Sequence, residues 1–106
     1  MNENVVFYVK TIHAIIIKDP SVMSDRRIGI VSIIVYDPDA VYQRLNEILH
    51  GFGRLIIGRM GVPYRERDLS IIALIVDGTT DEIGALTGRL GQLESVTVKT
   101  SFAKER

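Results

Sequence analysis

Residues 26–40 read Arg26-Arg27-Ile28-Gly29-Ile30-Val31-Ser32-Ile33-Ile34-Val35-Tyr36-Asp37-Pro38-Asp39-Ala40, and the rest of the chain is organised around them. From Ile28 to Tyr36 the run is dominated by Ile and Val, whose branched Cβ atoms suit a pleated backbone, so a strand is predicted there. Alternate strand residues face opposite sides. Ile28, Ile30, Ser32, Ile34 and Tyr36 therefore share one face, and Gly29, Val31, Ile33 and Val35 the other. Both faces are largely apolar, which places the strand in the middle of a sheet with both sides covered.

The run stops at Asp37-Pro38-Asp39. An Asp side chain can cap a helix, Pro fits the first helical position, and an acidic residue in the first turn faces the positive end of the dipole. A helix is thus predicted from Pro38, capped by the Asp37 side chain. Val41, Leu45, Ile48 and Leu49 recur at helical spacing and leave Arg44 and Glu47 toward solvent, and Gly51 is expected to end the helix in a left-handed conformation.

Arg54-Leu55-Ile56-Ile57-Gly58-Arg59-Met60 reads as a weaker strand, and its Gly58 and Arg59 suit a sheet edge. Gly61 to Asp68 reads as a polar connection. Leu69 to Val76 is a further strand, apolar on both faces and therefore central. Asp77-Gly78 supplies a turn, and Thr79 or Thr80 the cap of a second helix with Ile83, Leu86, Leu90 and Leu93 on one stripe. Ser95 to Phe102 sets Val96, Val98, Thr100 and Phe102 against Ser95, Thr97, Lys99 and Ser101, the alternation of an edge strand with one wet face.

From Ile28 onward the order is strand, helix, strand, strand, helix, strand. This is the ferredoxin-like βαββαβ plan, an α+β fold with an antiparallel four-stranded sheet, two helices on one face and, here, an N-terminal extension. Right-handed crossovers make the first and third of these strands the central pair. They are the two strands that are apolar on both sides, and the helices cover only one. Leaving even four Ile or Val side chains exposed on the open face forgoes about 1.5 to 3 kcal/mol each. A homo-oligomer, in its simplest form a two-fold dimer, is therefore expected.

Residues 1–25 form the N-terminal extension and residues 26–106 the domain. Val5 to Val9 and Ile15 to Ile17 suit strands, and Lys18-Asp19-Pro20-Ser21 breaks the segment. Met23, just before the domain, is an alternative translation start. If the segment belongs to the protein, residues 5–17 are the other candidate to cover the open face. Lys10 and His13 interrupt its apolar run, which falls short of the ~20 residues of a membrane span, and it lacks the order of a secretory signal.

A chain of 106 residues with 46% hydrophobic content supports one small domain and a modest core. Its 13 basic and 13 acidic residues balance, so no global field gathers nucleic acid or an anionic membrane. Without cysteine it has no disulfide, thiolate metal site or thiol nucleophile, which is compatible with a reducing cytoplasm.

Catalytic chemistry finds little support. His13 and His50 form no spaced ligand cluster, and His50 in a last helical turn complements the dipole, so no metal or other cofactor is expected. Asp37, Asp39, Asp77 and Asp81 read as helix-start residues, and Asp77-Gly78-Thr79-Thr80 has neither the lysine nor the spacing of a phosphate loop. No enzyme is expected. RNA binding on the sheet would need stacking aromatics, and Leu69 to Val76 has none. Arg54, Arg59, Arg65 and Arg67 gather near the second strand and its loop, where Glu66 and Asp68 partly neutralise them. Gly84, Gly88 and Gly91 each cost about 1 kcal/mol inside a helix. Close approach of the helix to a neighbouring element is the expected compensation; a ligand or second subunit against the exposed backbone is the alternative.

The motifs Arg27-Ile28-Gly29-Ile30-Val31, Tyr36-Asp37, Leu49-His50-Gly51-Phe52 and Ile83-Gly84-Ala85-Leu86-Thr87-Gly88-Arg89-Leu90-Gly91, with the ending Val96-Thr97-Val98-Lys99-Thr100, carry a resemblance. The chain resembles the iron-only hydrogenase system regulators, whose fold belongs with ACT-like domains, over about Arg26 to Thr100. The resemblance implies a small cytoplasmic regulatory or sensor domain without a DNA-binding segment of its own. ACT-like relatives hold amino acids or similar molecules at subunit interfaces near the turn after the first strand. The resemblance thus points to Tyr36, Asp37 and Asp39 as ligand-binding residues, with Gly84 and Gly88 added from the helix reading. The turn here lacks the glycine often found in amino-acid-binding ACT domains. Nickel-responsive repressors share the fold, but their metal site needs Cys and several His, and it is not carried over. A protein-interaction adaptor, docking a partner through an edge strand or the Arg65–Arg67 loop, is the alternative to a ligand sensor.

Overall fold

The computed structural model describes residues 6–9, by their backbone, and residues 25–104. The elements follow in the order β1 (Val6–Val9), β2 (Arg27–Tyr36), helix α1 (Pro38–Gly51), β3 (Ile56–Tyr64), β4 (Leu69–Gly78), helix α2 (Thr80–Gly91) and β5 (Val96–Phe102). The sheet order is β1-β3-β4-β2-β5 and every neighbouring pair is antiparallel. Four of these strands and both helices make the ferredoxin-like unit, with β2 and β4 as the central pair that right-handed crossovers require.

β1 is an added fifth strand. Val9 lies opposite Gly58 and Tyr8 opposite Arg59, so the part of β3 that reads as an edge is paired on both sides. Residues 6–9 therefore extend the plane of the sheet instead of covering its open face; the remainder of 5–17 lies outside the described residues. A second departure is the stretch from Gly61 to Tyr64, expected as connection, which continues β3. Pairing with β4 from Gly61–Ile72 to Tyr64–Leu69 holds it extended, and only Arg65–Arg67 turn, as one short 3₁₀ helix. Pro63 lies opposite Ser70 of β4.

Val31, Ile33 and Val35 of β2 and Ile72, Leu74 and Val76 of β4 point at the helices. There they meet Val41, Leu45, Ile48 and Leu49 of α1 and Ile83, Leu86 and Leu90 of α2 in one buried cluster, with Val96 and Val98 of β5 at its margin. Ser70 is the one buried polar side chain in the described core, and the Tyr42 hydroxyl meets its Oγ at 2.8 Å. Near the start of β2, Arg26 Nε donates to Asp77 Oδ1 at 3.2 Å and Nη2 to the Asp77 carbonyl at 2.7 Å. Asp77 thus lies within β4 as an ion-pair partner and starts no helix. Arg27 stacks over the Phe102 ring, 4.6 Å from its centroid.

The helix ends show which local signals prevail. Thr79 caps α2 in a full capping box: the Glu82 amide donates to Thr79 Oγ1 at 3.0 Å and the Thr79 amide to Glu82 Oε1 at 2.9 Å. At α1, Pro38 takes the first turn as expected, but Asp37 is left-handed and its side chain makes no cap bond. Gly51 stays helical; the Phe52 amide closes α1 on the carbonyls of Ile48 and Leu49 without a left-handed residue.

Gly84, Gly88 and Gly91 correct a further expectation. A Cβ built at any of them meets nothing within 4 Å, so no close approach explains them. They stand on the solvent side of α2, opposite Ile83, Leu86 and Leu90. Gly84→Ala and Gly88→Ala should each stabilise the protein by about 0.5–1 kcal/mol, read as a rise in the urea midpoint at unchanged m. A loss of stability would show that another molecule rests against this backbone.

Candidate functional site at the end of the sheet

At the end of the sheet where β2 passes into α1, three chain crossings meet. The Tyr36 amide donates to the Ser95 carbonyl at 2.7 Å, and the Asp37 amide to the Asp68 carbonyl at 3.4 Å. Asp37, Asp68 and Ser95 have φ of 54°, 54° and 63°, and they are the positive-φ residues among those described. None is glycine. For an L-residue this conformation brings Cβ against the following carbonyl, at about 1–2 kcal/mol, and Asp is among the few that tolerate it. Backbone strain of this kind gathers at functional sites and is held by its surroundings. Here each strained residue is tied to its neighbours through the last backbone bonds of the sheet.

The side chains follow from the register. Tyr36 lies opposite Leu69, and Leu69 opposite Tyr64, so the two tyrosines flank Leu69 on the open face. Both rings are exposed while Leu69 is buried between them. Asp37, Asp39 and Asp68 are exposed beside this row, with Arg65, Glu66 and Arg67 on the adjoining turn. Tyr36, Asp37 and Asp39 stand together at this end of the sheet because they are near neighbours in the chain. Asp68, read from the sequence only as a partner of the loop arginines, and Ser95 join them here through their backbones; the tolerance of Asp for positive φ was the available signal at Asp68, and Ser95 carries none. Gly84 and Gly88 lie on the solvent side of α2, facing away from the sheet. Among the described residues no group of three or more His, Cys, Asp or Glu is arranged to hold a metal ion. No described helix is long and apolar enough to cross a membrane.

This end of the sheet thus presents two exposed aromatic rings and three exposed carboxylates beside its last backbone bonds. Residues 27–100 match the family model described as TM1266-like, iron-only hydrogenase system regulator. The structure of the uncharacterized protein TM1266 from Thermotoga maritima is similar to this chain, with 43% identity and a TM-score of 0.72 over 74% of this chain and 99% of that one. No curated protein matches.

Proposed function

This chain belongs to the TM1266-like family of iron-only hydrogenase system regulators, and we propose that it serves there as a cytoplasmic, non-enzymatic sensor that binds a small molecule at the end of its sheet and at a homodimer interface. The observation that carries this reading is the convergence of Asp37, Asp68 and Ser95, all left-handed, around the backbone of Tyr36. The exposed carboxylates of Asp37, Asp39 and Asp68 beside the Tyr36 and Tyr64 rings suit a ligand with a cationic group.

A thermal-shift screen of amino acids, polyamines, nucleotides and divalent metals tests it. An amine-bearing compound should raise the melting temperature in a concentration-dependent way, since a ligand that binds only the native state stabilises it. A flat screen would refute sensing. Asp37→Gly should relieve strain and raise the stability of the unliganded protein by up to about 1 kcal/mol while abolishing the ligand-dependent shift. The adaptor reading is favoured by one observation, the exposure of Arg65 and Arg67 on the 3₁₀ turn. A partner captured by pull-down and lost on charge reversal at both arginines would support it.

A further inference from the structure

The face of the sheet away from the helices is the molecule's largest unexplained feature. Ile28, Ile30, Ile34 and Tyr36 of β2, Ile71, Ala73 and Ile75 of β4, and Met60, Val62 and Tyr64 of β3 share it by register. Ile28, Ile30 and Ile75 are each 45% exposed and Ile71 41%. Nothing among the described residues covers them. We propose that this face is the two-fold interface between two copies of this chain, packed sheet against sheet with the strands of the two copies aligned.

Charge, shape and area support a second copy. Between Ile28 and Tyr36 on β2, Leu69 and Ile75 on β4, and Met60 and Tyr64 on β3, the face carries no charged side chain; Lys99 of β5 stands at one rim and Asp77, paired with Arg26, at the bottom. An uncharged centre with charge at the edge strand is the composition of a homodimer interface, and the part of the face on β2, β4 and β3 can meet its own copy without like-charge repulsion. On the two central strands the middle row is small, with Ser32 opposite Ala73 and the longer Met60 and Lys99 at its ends on β3 and β5, and isoleucines stand on either side: Ile30 with Ile75 below, Ile34 with Ile71 above. Either two-fold axis that stacks the faces, along the strands or across them, brings isoleucine rows of one copy onto isoleucine rows of the other.

The area selects the packing. Eight residue steps along β2 at about 3.4 Å and four strands at about 4.8 Å give a face of roughly 27 by 19 Å, or about 500 Å² in projection. A standard interface buries about 800 Å² of accessible surface per partner, so the corrugated face must be used over its whole length. Orthogonal packing would overlap only a square of about 19 Å, whereas aligned packing, offset by about 30°, keeps nearly all of it.

This deepens the dimer of the preceding reading and rests on it for self-association alone, because ligand binding at the sheet end is tested by a separate screen. Light scattering behind a sizing column, from about 1 to 100 µM, is the measurement. The wild-type chain should run at twice its 11.9 kDa mass. Ile75→Lys and, independently, Ser32→Arg should convert it to a monomer with unchanged circular dichroism, while Arg44→Ala on the helix side should remain dimeric. Two variants are used because Ile75→Lys alone could disturb β4; if it misfolds, Ser32→Arg decides. A wild-type monomer over the whole range would assign the face to a different protein and overturn the proposal. A dimer that survives in a correctly folded variant would overturn it too, by moving the interface to the β5 edge or the helices. A dimer that follows the variants but gives a flat ligand screen would refute the sensor and leave the interface standing.

Discussion

Ile33→Ala should lower the stability of this protein by about 2–5 kcal/mol, whereas Ile30→Ala, three residues earlier on the same strand, should cost the folded subunit less than about 1 kcal/mol. The two residues are chemically identical and differ only in the face they occupy. Ile33 is 0% exposed, opposite Ile72 on one side and Val98 on the other, and truncation leaves a cavity between the sheet and the helices. Ile30 is 45% exposed, so truncation removes surface that the subunit never buried within itself. Urea melts at fixed protein concentration measure both. Equal losses would mean that the two faces are equally buried in the subunit. At higher concentration the Ile30→Ala loss should grow, because the same side chain lies in the proposed dimer interface and association adds to apparent stability.

Gly78→Ala should cost about 1–3 kcal/mol, the effect of overfilling a packed site. A Cβ at position 78 would lie 2.9 Å from Leu55 Cδ2 and 3.1 Å from Glu82 Oε1. The leucine end can rotate aside, but the carboxylate is held by the capping box. The Thr79 backbone N–H bound to it is the largest reason that the Glu82 carboxyl titrates below its ordinary value of 4.5, against desolvation and with help from the Thr79 hydroxyl, Arg26 and Arg54. A carboxyl with a lowered native pKa contributes stability that is present above the unfolded value and lost as pH falls through the native one. Wild-type stability should therefore fall on acidification below about pH 4.5, and Glu82→Gln or Gly78→Ala should flatten that part of the curve. Chemical denaturation across that range, with Gln92→Ala on the same helix as a control, measures it. An unchanged acid limb in Glu82→Gln would refute the assignment.

Much of this protein is legible from single residues and their spacing. β2 and β4 read as central strands because a strand apolar on both sides is stable only when enclosed. α1 and α2 read from apolar residues at helical spacing, and the cap of α2 was narrowed to Thr79 or Thr80, of which the structure uses Thr79 with Glu82. The family followed from the same stretches, and residues 27–100 match it. Local reading failed where a residue's conformation is set by a distant partner. Gly61 to Tyr64 looks like loop, yet β4 holds it in the sheet. Asp37 has the composition of a helix cap, but its amide is drawn to the Asp68 carbonyl and its backbone turns left-handed, so its side chain does not cap.

The candidate site was half legible for the same reason. Tyr36, Asp37 and Asp39 are adjacent in the chain and needed no folding to be grouped. Asp68 and Ser95 arrive from loops about 30 and 60 residues away and are placed only by the antiparallel register of β2 with β4 and β5. Sequence by itself determined the elements, the central pair of strands and the existence of an apolar open face, because periodicity and β-branching act over a few residues at a time. Only the tertiary structure decided that β1 takes the edge beside β3, which residues take left-handed backbones and that the glycines of α2 face solvent. Those depend on which backbone groups find partners across the fold, a matter of long-range pairing that no local stretch encodes.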